Sequence, residues 1–107
     1  MEETIDPNKI FRQILYLNDE SELAGSAYSS SDLTTLHVRL DEQYSMIDMF
    51  PIFTDPDKIS TIRSVMYSAN SHSIISDETY RGYTQMVGIR MDGKQVSVSL
   101  RKPLSGQ

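Results

Sequence analysis

Apolar residues recur at the spacing of an α-helix in two segments of the chain. The first segment opens with Asp6, a residue type that often caps helices, and Pro7, whose fixed φ suits the first helical turn. One apolar stripe follows, made of Ile10, Phe11, Ile14, Leu15 and Leu17. The pattern predicts a helix that begins after Asp6 and ends near Asn18.

The second segment has the same arrangement. Thr54 or Asp55 is the predicted cap, Pro56 stands in the first turn, and the helix is predicted to end at Asn70. Its apolar stripe consists of Ile59, Ile62, Val65, Met66 and Ala69. Mostly polar stretches follow both predicted helices, at residues 19–32 and 71–79, and both are predicted to be loops.

Alternation of apolar and polar residues predicts strands in the rest of the chain. Over residues 34–40, Leu36, Val38 and Leu40 alternate with polar side chains, as in a strand with one buried face. The same alternation predicts strands over residues 83–91, with Val87 and Ile89 inward, and over residues 95–100. Asp92-Gly93 between them is a strong signal for a hairpin turn.

The two halves of the chain also resemble each other, at an offset of about fifty residues. Asp6-Pro7-Asn8-Lys9-Ile10 recurs as Asp55-Pro56-Asp57-Lys58-Ile59, and Val38-Arg39-Leu40-Asp41 recurs as Ile89-Arg90-Met91-Asp92. Residues 43–53 alone fit a helix or a strand. The repeat aligns this segment with one that begins at the strand-like residues 95–100, so it predicts a strand over residues 43–53 as well.

These elements predict an α+β fold. Two tandem helix–hairpin units, about residues 6–52 and 55–104, would form a two-layer sandwich in which a four-stranded antiparallel sheet carries both helices on one face. The order αββαββ is a circular permutation of the ferredoxin-like order. A chain of 107 residues fits a single domain over residues 1–107. Because this architecture hosts enzymes and binding proteins alike, function must be argued from side chains.

Composition removes several kinds of chemistry. The chain has no cysteine, which excludes disulfides, thiolate nucleophiles and zinc–thiolate sites and fits a reducing compartment. Its first residues are acidic, and no stretch approaches the length of an apolar membrane span. We therefore expect a cytoplasmic protein that does not contact a membrane.

The two histidines are the first candidates for catalysis. His37 alternates with core positions and is predicted on the sheet surface. His72 lies between Ser71 and Ser73, which gives a possible Ser–His pair, but a nucleophile also needs an orienting acid and an oxyanion site. Such loops are rich in serine and histidine for local hydrogen bonding alone. We expect no enzymatic activity from this loop.

Metal and cofactor sites are not predicted either. The paired acidic residues, such as Asp19-Glu20 and Asp77-Glu78, fall in predicted loops without the spacing of a calcium-binding loop. The five glycines are scattered singly, so no glycine-rich loop could hold a phosphate. We expect no cofactor.

The predicted outer face of the sheet, away from the helices, is the remaining candidate site. Alternation places there a mixture of basic and large apolar residues: His37, Arg39, Ile47, Met49, Met86, Arg90 and Arg101. Methionine side chains adapt to varied partners, and uncovered apolar area often marks a contact surface. The opposing interpretation is a solvated face, because antiparallel sheets tolerate water on one side.

This face leads to two functional hypotheses. The first is a small acidic, non-enzymatic protein-interaction module, such as a regulator, inhibitor or immunity-type protein, that binds another protein or a second copy of itself. The alternative is a binder of single-stranded nucleic acid or of an anionic ligand that uses the arginines. The net charge of −5 and the lack of predicted aromatic residues on this face weigh against the alternative.

Overall fold

The computed structural model describes residues 12–41, 43–68 and 73–103. Within these residues the chain forms one seven-stranded antiparallel sheet and two short helices. The elements, in chain order, are β1 Arg12–Tyr16, β2 Glu22–Ser29, β3 Thr35–Leu40, α1 Met46–Phe53, α2 Pro56–Ile59, β4 Thr61–Tyr67, β5 Ile74–Arg81, β6 Gln85–Asp92 and β7 Gln95–Arg101. The strand order across the sheet is β5-β4-β1-β2-β3-β7-β6, so β5 and β6 are its edges.

Strand β2 changes its partner partway along its length. Its first residues, up to Ala24, pair with β1, and from Gly25 onward it pairs with β3. At the changeover the Ala24 N–H donates to the Tyr44 hydroxyl (3.0 Å) and the Ala24 carbonyl accepts from the Asp41 N–H (2.8 Å). The sheet therefore has two parts, which we call the β1–β4–β5 half and the β3–β7–β6 half.

One hydrophobic core serves both halves on the same side of the sheet. Leu15, Leu23 and Ile62 from the first half join Leu36, Val38 and Leu100 from the second. The helices cover this side and add Met49, Phe53 and Ile59 to the core. Leu36, Val38 and Leu40 are buried while Arg39 between them is exposed, which confirms the alternation predicted for β3.

The predicted four-stranded α+β sandwich is wrong. The structure is mostly β, with seven strands and short helices, and it does not resemble a permuted ferredoxin-like fold. Residues 12–16 of the first predicted helix are strand β1, and the second predicted helix is reduced to α2 followed by β4. The predicted loop at 19–32 contains all of β2, and the predicted loop at 71–79 contains most of β5.

The two misread helices share a physical cause, which is burial on both faces of a strand. In β1, Leu15 lies in the core while its neighbour Ile14 is buried on the opposite face. In β4, Ile62 and Val65 are likewise buried on opposite faces. Apolar residues at positions i, i+1 and i+3 resemble the spacing of a helix. Here they belong to strands that are buried on both faces.

The predicted helix–hairpin duplication is also wrong. Residues 46–53, predicted as a strand from the repeat, form helix α1, whose cap is the Ser45 hydroxyl accepting from the Asp48 N–H (3.1 Å). The matching segment in the second half is strand β7. The Asp55-Pro56 start of a helix is confirmed, with the Asp55 carboxylate accepting from the Asp57 N–H (3.0 Å), but α2 has only four residues.

Candidate binding trough on the outer face of the sheet

The outer face of the β3–β7–β6 half carries two parallel rows of side chains. Strand register places Tyr28, His37 and Ser99 in one row, and Ser26, Arg39, Ser97 and Arg90 in the next. Residues directly opposite one another on antiparallel strands project to the same side, so both rows face away from the core. The sequence therefore correctly placed His37, Arg39 and Arg90 on one face.

A concave trough of about 540 Å³ lies along these rows. Its floor is made by small residues, among them Ser97, Ser99 and Gly88, and larger side chains rise around it. Gly88 has open space where a Cβ would point, with no atom within 4 Å. The volume lies in the range of protein binding sites, and a larger side chain at position 88 could fill it without a clash.

Two arginines line the trough in different states. Arg39 donates from Nη2 to the Gln95 side-chain oxygen (2.6 Å), and the Gln95 amide donates to the Asp41 carbonyl (3.1 Å), which fixes the guanidinium in place. Arg90 makes no hydrogen bond or ion pair with any described residue. Because guanidinium donors favour carboxylate and phosphate oxygens, this free side chain is the strongest anion-binding group of the trough.

An aromatic pair stands at one end of the trough. The Tyr28 and His37 rings lie 5.2 Å apart at an interplanar angle of 33°, and Tyr28 is 60% exposed. Sequence reasoning missed Tyr28 because it assigned this segment to a loop. The inward positions of β2 beside it are Gly25 and Ala27, so the apolar alternation that would have revealed a strand is weak.

Three other predicted site residues lie elsewhere. Met49 is buried in the core on helix α1, and Ile47 on the same helix is 84% exposed but belongs to the covered side of the sheet. Met86 packs against the core, because a bulge at Val87 shifts the register between Met86 and Gly88. Their predicted position on the outer face is therefore wrong.

Arg101 does lie on the outer face, as predicted. It sits at the end of β7, opposite Thr35 on one side and Gln85 on the other. The alternation along β7 places it on the same side as Ser97 and Ser99. It extends the basic lining one row beyond the trough.

The outer face of the β1–β4–β5 half is closed by its own side chains. The Tyr16 and Tyr67 hydroxyls are hydrogen-bonded at 2.8 Å, and Arg63 donates two hydrogen bonds to Asp77, at 2.9 and 2.7 Å. The Arg63 guanidinium also lies 5.5 Å from the centre of the Tyr16 ring. Val65 beneath them is 1% exposed.

Electrostatics follow from these contacts. The hydrogen bond to Tyr67 raises the pKa of Tyr16 to about 12, and the Arg63 guanidinium lowers the pKa of Asp77. Each polar group in this cluster already has its partner within the protein. By contrast, Arg90 and the Tyr28 hydroxyl, on the outer face of the β3–β7–β6 half, have no hydrogen-bond partner among the described residues.

Other candidate chemistry is limited in the part of the chain that the structure describes. No group of three or more histidine, aspartate or glutamate side chains there could hold a metal ion. No helix among the described residues has the length and apolar character needed to cross a membrane. The predicted Ser71–His72 pair lies outside the described residues.

In comparisons with known proteins, the chain matches no protein-family model, no curated protein and no solved structure.

Proposed function

We propose that this chain is a non-enzymatic protein-interaction module, a small acidic regulator, inhibitor or immunity-type protein, whose trough binds an acidic segment of a partner protein. The observation that carries the proposal is the row in which Arg39 and Arg90 flank Ser97 on an otherwise open face. Two guanidinium groups across a serine-lined floor can each bind a carboxylate of the partner.

The kind of side chain in the trough supports a protein partner. Arginine and tyrosine are enriched at the centres of protein interfaces, where they supply large contact area and directed hydrogen bonds. Tyr28, Arg39 and Arg90 are all exposed here. The net charge of −5 disfavours a long polyanion, whereas a short acidic segment meets a trough in which two arginines, Arg39 and Arg90, outnumber the one carboxylate, Asp92.

A cytoplasmic location belongs to the same proposal. The absence of cysteine from the chain suits a reducing compartment, where disulfides do not form. Tagging the protein in its native cell and fractionating that cell would test the location directly.

A second candidate function has one observation in its favour. The exposed Tyr28 ring, held against His37 beside two arginines, resembles the stacking platforms with which proteins bind single-stranded nucleic acid or anionic ring compounds. Fluorescence anisotropy with labelled single-stranded oligonucleotides tests it. Saturable binding that weakens with salt and is lost in Tyr28→Ala would favour this candidate over an acidic protein segment.

Affinity capture from native lysate, followed by titration of the purified partner, tests the leading proposal. The wild-type chain is compared with Gly88→Trp, which fills the trough, and with Arg90→Glu, which reverses its free charge. Arg81→Glu is the matched control, because it makes the same charge change on exposed strand β5 in the other half. We expect the partner to bind the wild type and Arg81→Glu equally.

Binding to Arg90→Glu should fall by at least about tenfold, the effect of losing one well-placed charge-assisted contact, and binding to Gly88→Trp should fall because the indole occupies the trough. A partner that binds all four proteins with the same affinity would show that the trough is not the binding site.

A further inference from the structure

Strand β6 is an edge of the sheet whose outer side carries no described strand. An edge strand presents a row of unpaired N–H and C=O groups that can pair with another chain. The bulge at Val87 interrupts its first part, and pairing with β7 is regular from Gly88 to Asp92. A partner strand would therefore be accepted along the second part of β6.

Two opposite charges lie two residues apart on that part of the strand. Arg90 is opposite Ser97 and Asp92 is opposite Gln95, so both side chains are on the outer face. Neither forms an ion pair with a described residue. In an antiparallel pairing of β6 with a second β6 centred on Met91, each Arg90 would face the Asp92 of the other copy, twice by symmetry.

The opposite face of β6 supports the same register. Met91 lies on the core side, opposite the buried Val96, and is 44% exposed at the edge. Helix α1 packs beside β6 on that side and leaves Ile47 and Phe50 84% and 49% exposed. Pairing centred on Met91 would place Met91 against its symmetry mate and both α1 helices on one side of the joined sheet.

Other pairings are less favourable. Centring β6 on Ile89 would place the bulged Val87 opposite Met91 and bring the two Arg90 side chains into diagonal contact, where like charges repel. Self-pairing of the other edge, β5, would bring together copies of its central residues Asp77 and Glu78, with the same penalty.

We propose that two copies of this chain associate through β6, antiparallel and centred on Met91, so that residues 90–92 of the two strands face one another and the two sheets join. Gly88, Arg90 and Asp92 line the trough at this edge, so the association joins the two troughs into one longer surface. The guanidinium of Arg90 has five donors and can hold both the carboxylate of the second copy and a ligand group. This inference does not depend on what the trough binds.

Charge reversal tests the register. Sedimentation equilibrium over a range of concentrations should show a reversible dimer for the wild type. Arg90→Asp and Asp92→Arg should each weaken it by about tenfold or more, because each puts like charges opposite one another at two symmetric positions. The double variant Arg90→Asp, Asp92→Arg restores opposite charges and should recover the wild-type dimer.

A cysteine cross-link tests the centre independently, and the cysteine-free chain gives a clean background. Directly opposed residues have Cα atoms about 4.5–5.5 Å apart, within the range of a disulfide. Met91→Cys should therefore cross-link readily under mild oxidation. Val87→Cys is the matched control, because it is equally exposed at 46% but would lie roughly 26 Å from its symmetry mate.

Three results would overturn the proposal: a wild-type chain that stays monomeric at every concentration, a double charge variant as weak as either single one, or Val87→Cys cross-linking as fast as Met91→Cys. Arg39→Glu separates this inference from the proposed function. Arg39 lines the trough from β3, two strands away from the β6 edge, so reversing its charge should weaken ligand binding and leave the dimer intact.

Discussion

The hydroxyl oxygens of Tyr16 and Tyr67 lie 2.8 Å apart across the outer face of the β1–β4 pair. The two residues come from strands that are far apart in sequence, and their hydrogen bond closes the layer of side chains above the buried Val65. Because the bond raises the pKa of Tyr16 to about 12, it links the stability of this half to pH.

Removing the Tyr67 hydroxyl should therefore change both stability and titration. Tyr67→Phe is expected to lower the free energy of unfolding by about 1 kcal/mol, the usual net contribution of one hydrogen bond. A raised folded-state pKa stabilises the protein fully below the ordinary value of 10.0, and this contribution is lost as the pH rises through about 12.

Denaturant unfolding and ultraviolet titration of tyrosine measure the two effects. In Tyr67→Phe the ionisation of Tyr16 should move back toward 10.0. Tyr28→Phe is the control, since the Tyr28 hydroxyl has no hydrogen-bond partner among the described residues. An unchanged Tyr16 titration in Tyr67→Phe would show that the hydroxyl pair does not form in solution.

The Arg63–Asp77 pair predicts the opposite pH dependence. Arg63 lowers the pKa of Asp77 below its ordinary value of 3.8, so the pair stabilises the fold above that pH and is lost as the pH falls through the lower, folded-state value. Asp77→Asn should reduce stability at neutral pH and match the wild type in strong acid. Glu78→Gln, on the same strand but without an ion pair in the described structure, should show no such convergence.

Gly25 and Gly88 predict different responses to the same substitution. A Cβ at Gly25 would lie 2.5 Å from the Arg39 carbonyl oxygen, where β2 changes partner, so the backbone must move. Gly25→Ala should cost about 1–3 kcal/mol of unfolding free energy, as overpacking does. Gly88→Ala meets nothing within 4 Å and should change stability by less than about 0.5 kcal/mol. Equal losses in thermal or chemical unfolding would contradict the register at β2.

These residues also explain which parts of the fold the sequence could reveal. β3 was predictable because one of its faces is buried and the other is exposed, which produces clean alternation. β1 and β4 were not, because Ile14 and Val65 are buried on the outer face, where aromatic and charged side chains of β1, β4 and β5 bond to one another across the strands. The local sequence cannot predict this burial, because it depends on which strands become neighbours in the sheet.

The candidate site was also predictable only in part, where strands alternate regularly. His37, Arg39 and Arg90 follow from alternation, whereas Met86 was misplaced because a bulge at Val87 adds one residue and reverses the faces on its far side. The register of the bulge is a property of the β6–β7 pair, so it cannot be read from β6 alone. The short repeat then misassigned Met49 by making helix α1 look like a strand.

Met49 and Ile47, both on helix α1, should respond differently to substitution by aspartate. Met49 is 4% exposed and packs in the core, whereas Ile47 is 84% exposed in the first turn of the helix. Met49→Asp would bury a carboxylate among described residues that include no buried polar or charged side chain, and it should cost at least about 3 kcal/mol. Ile47→Asp adds a negative charge near the helix N-terminus, where the helix dipole favours it, and should leave stability within about 0.5 kcal/mol of the wild type. Chemical denaturation in dilute protein distinguishes the two variants. If Met49→Asp were tolerated as well as Ile47→Asp, the helix would not pack on the sheet through this side, and the assignment of the opposite side as the open binding face would fail with it.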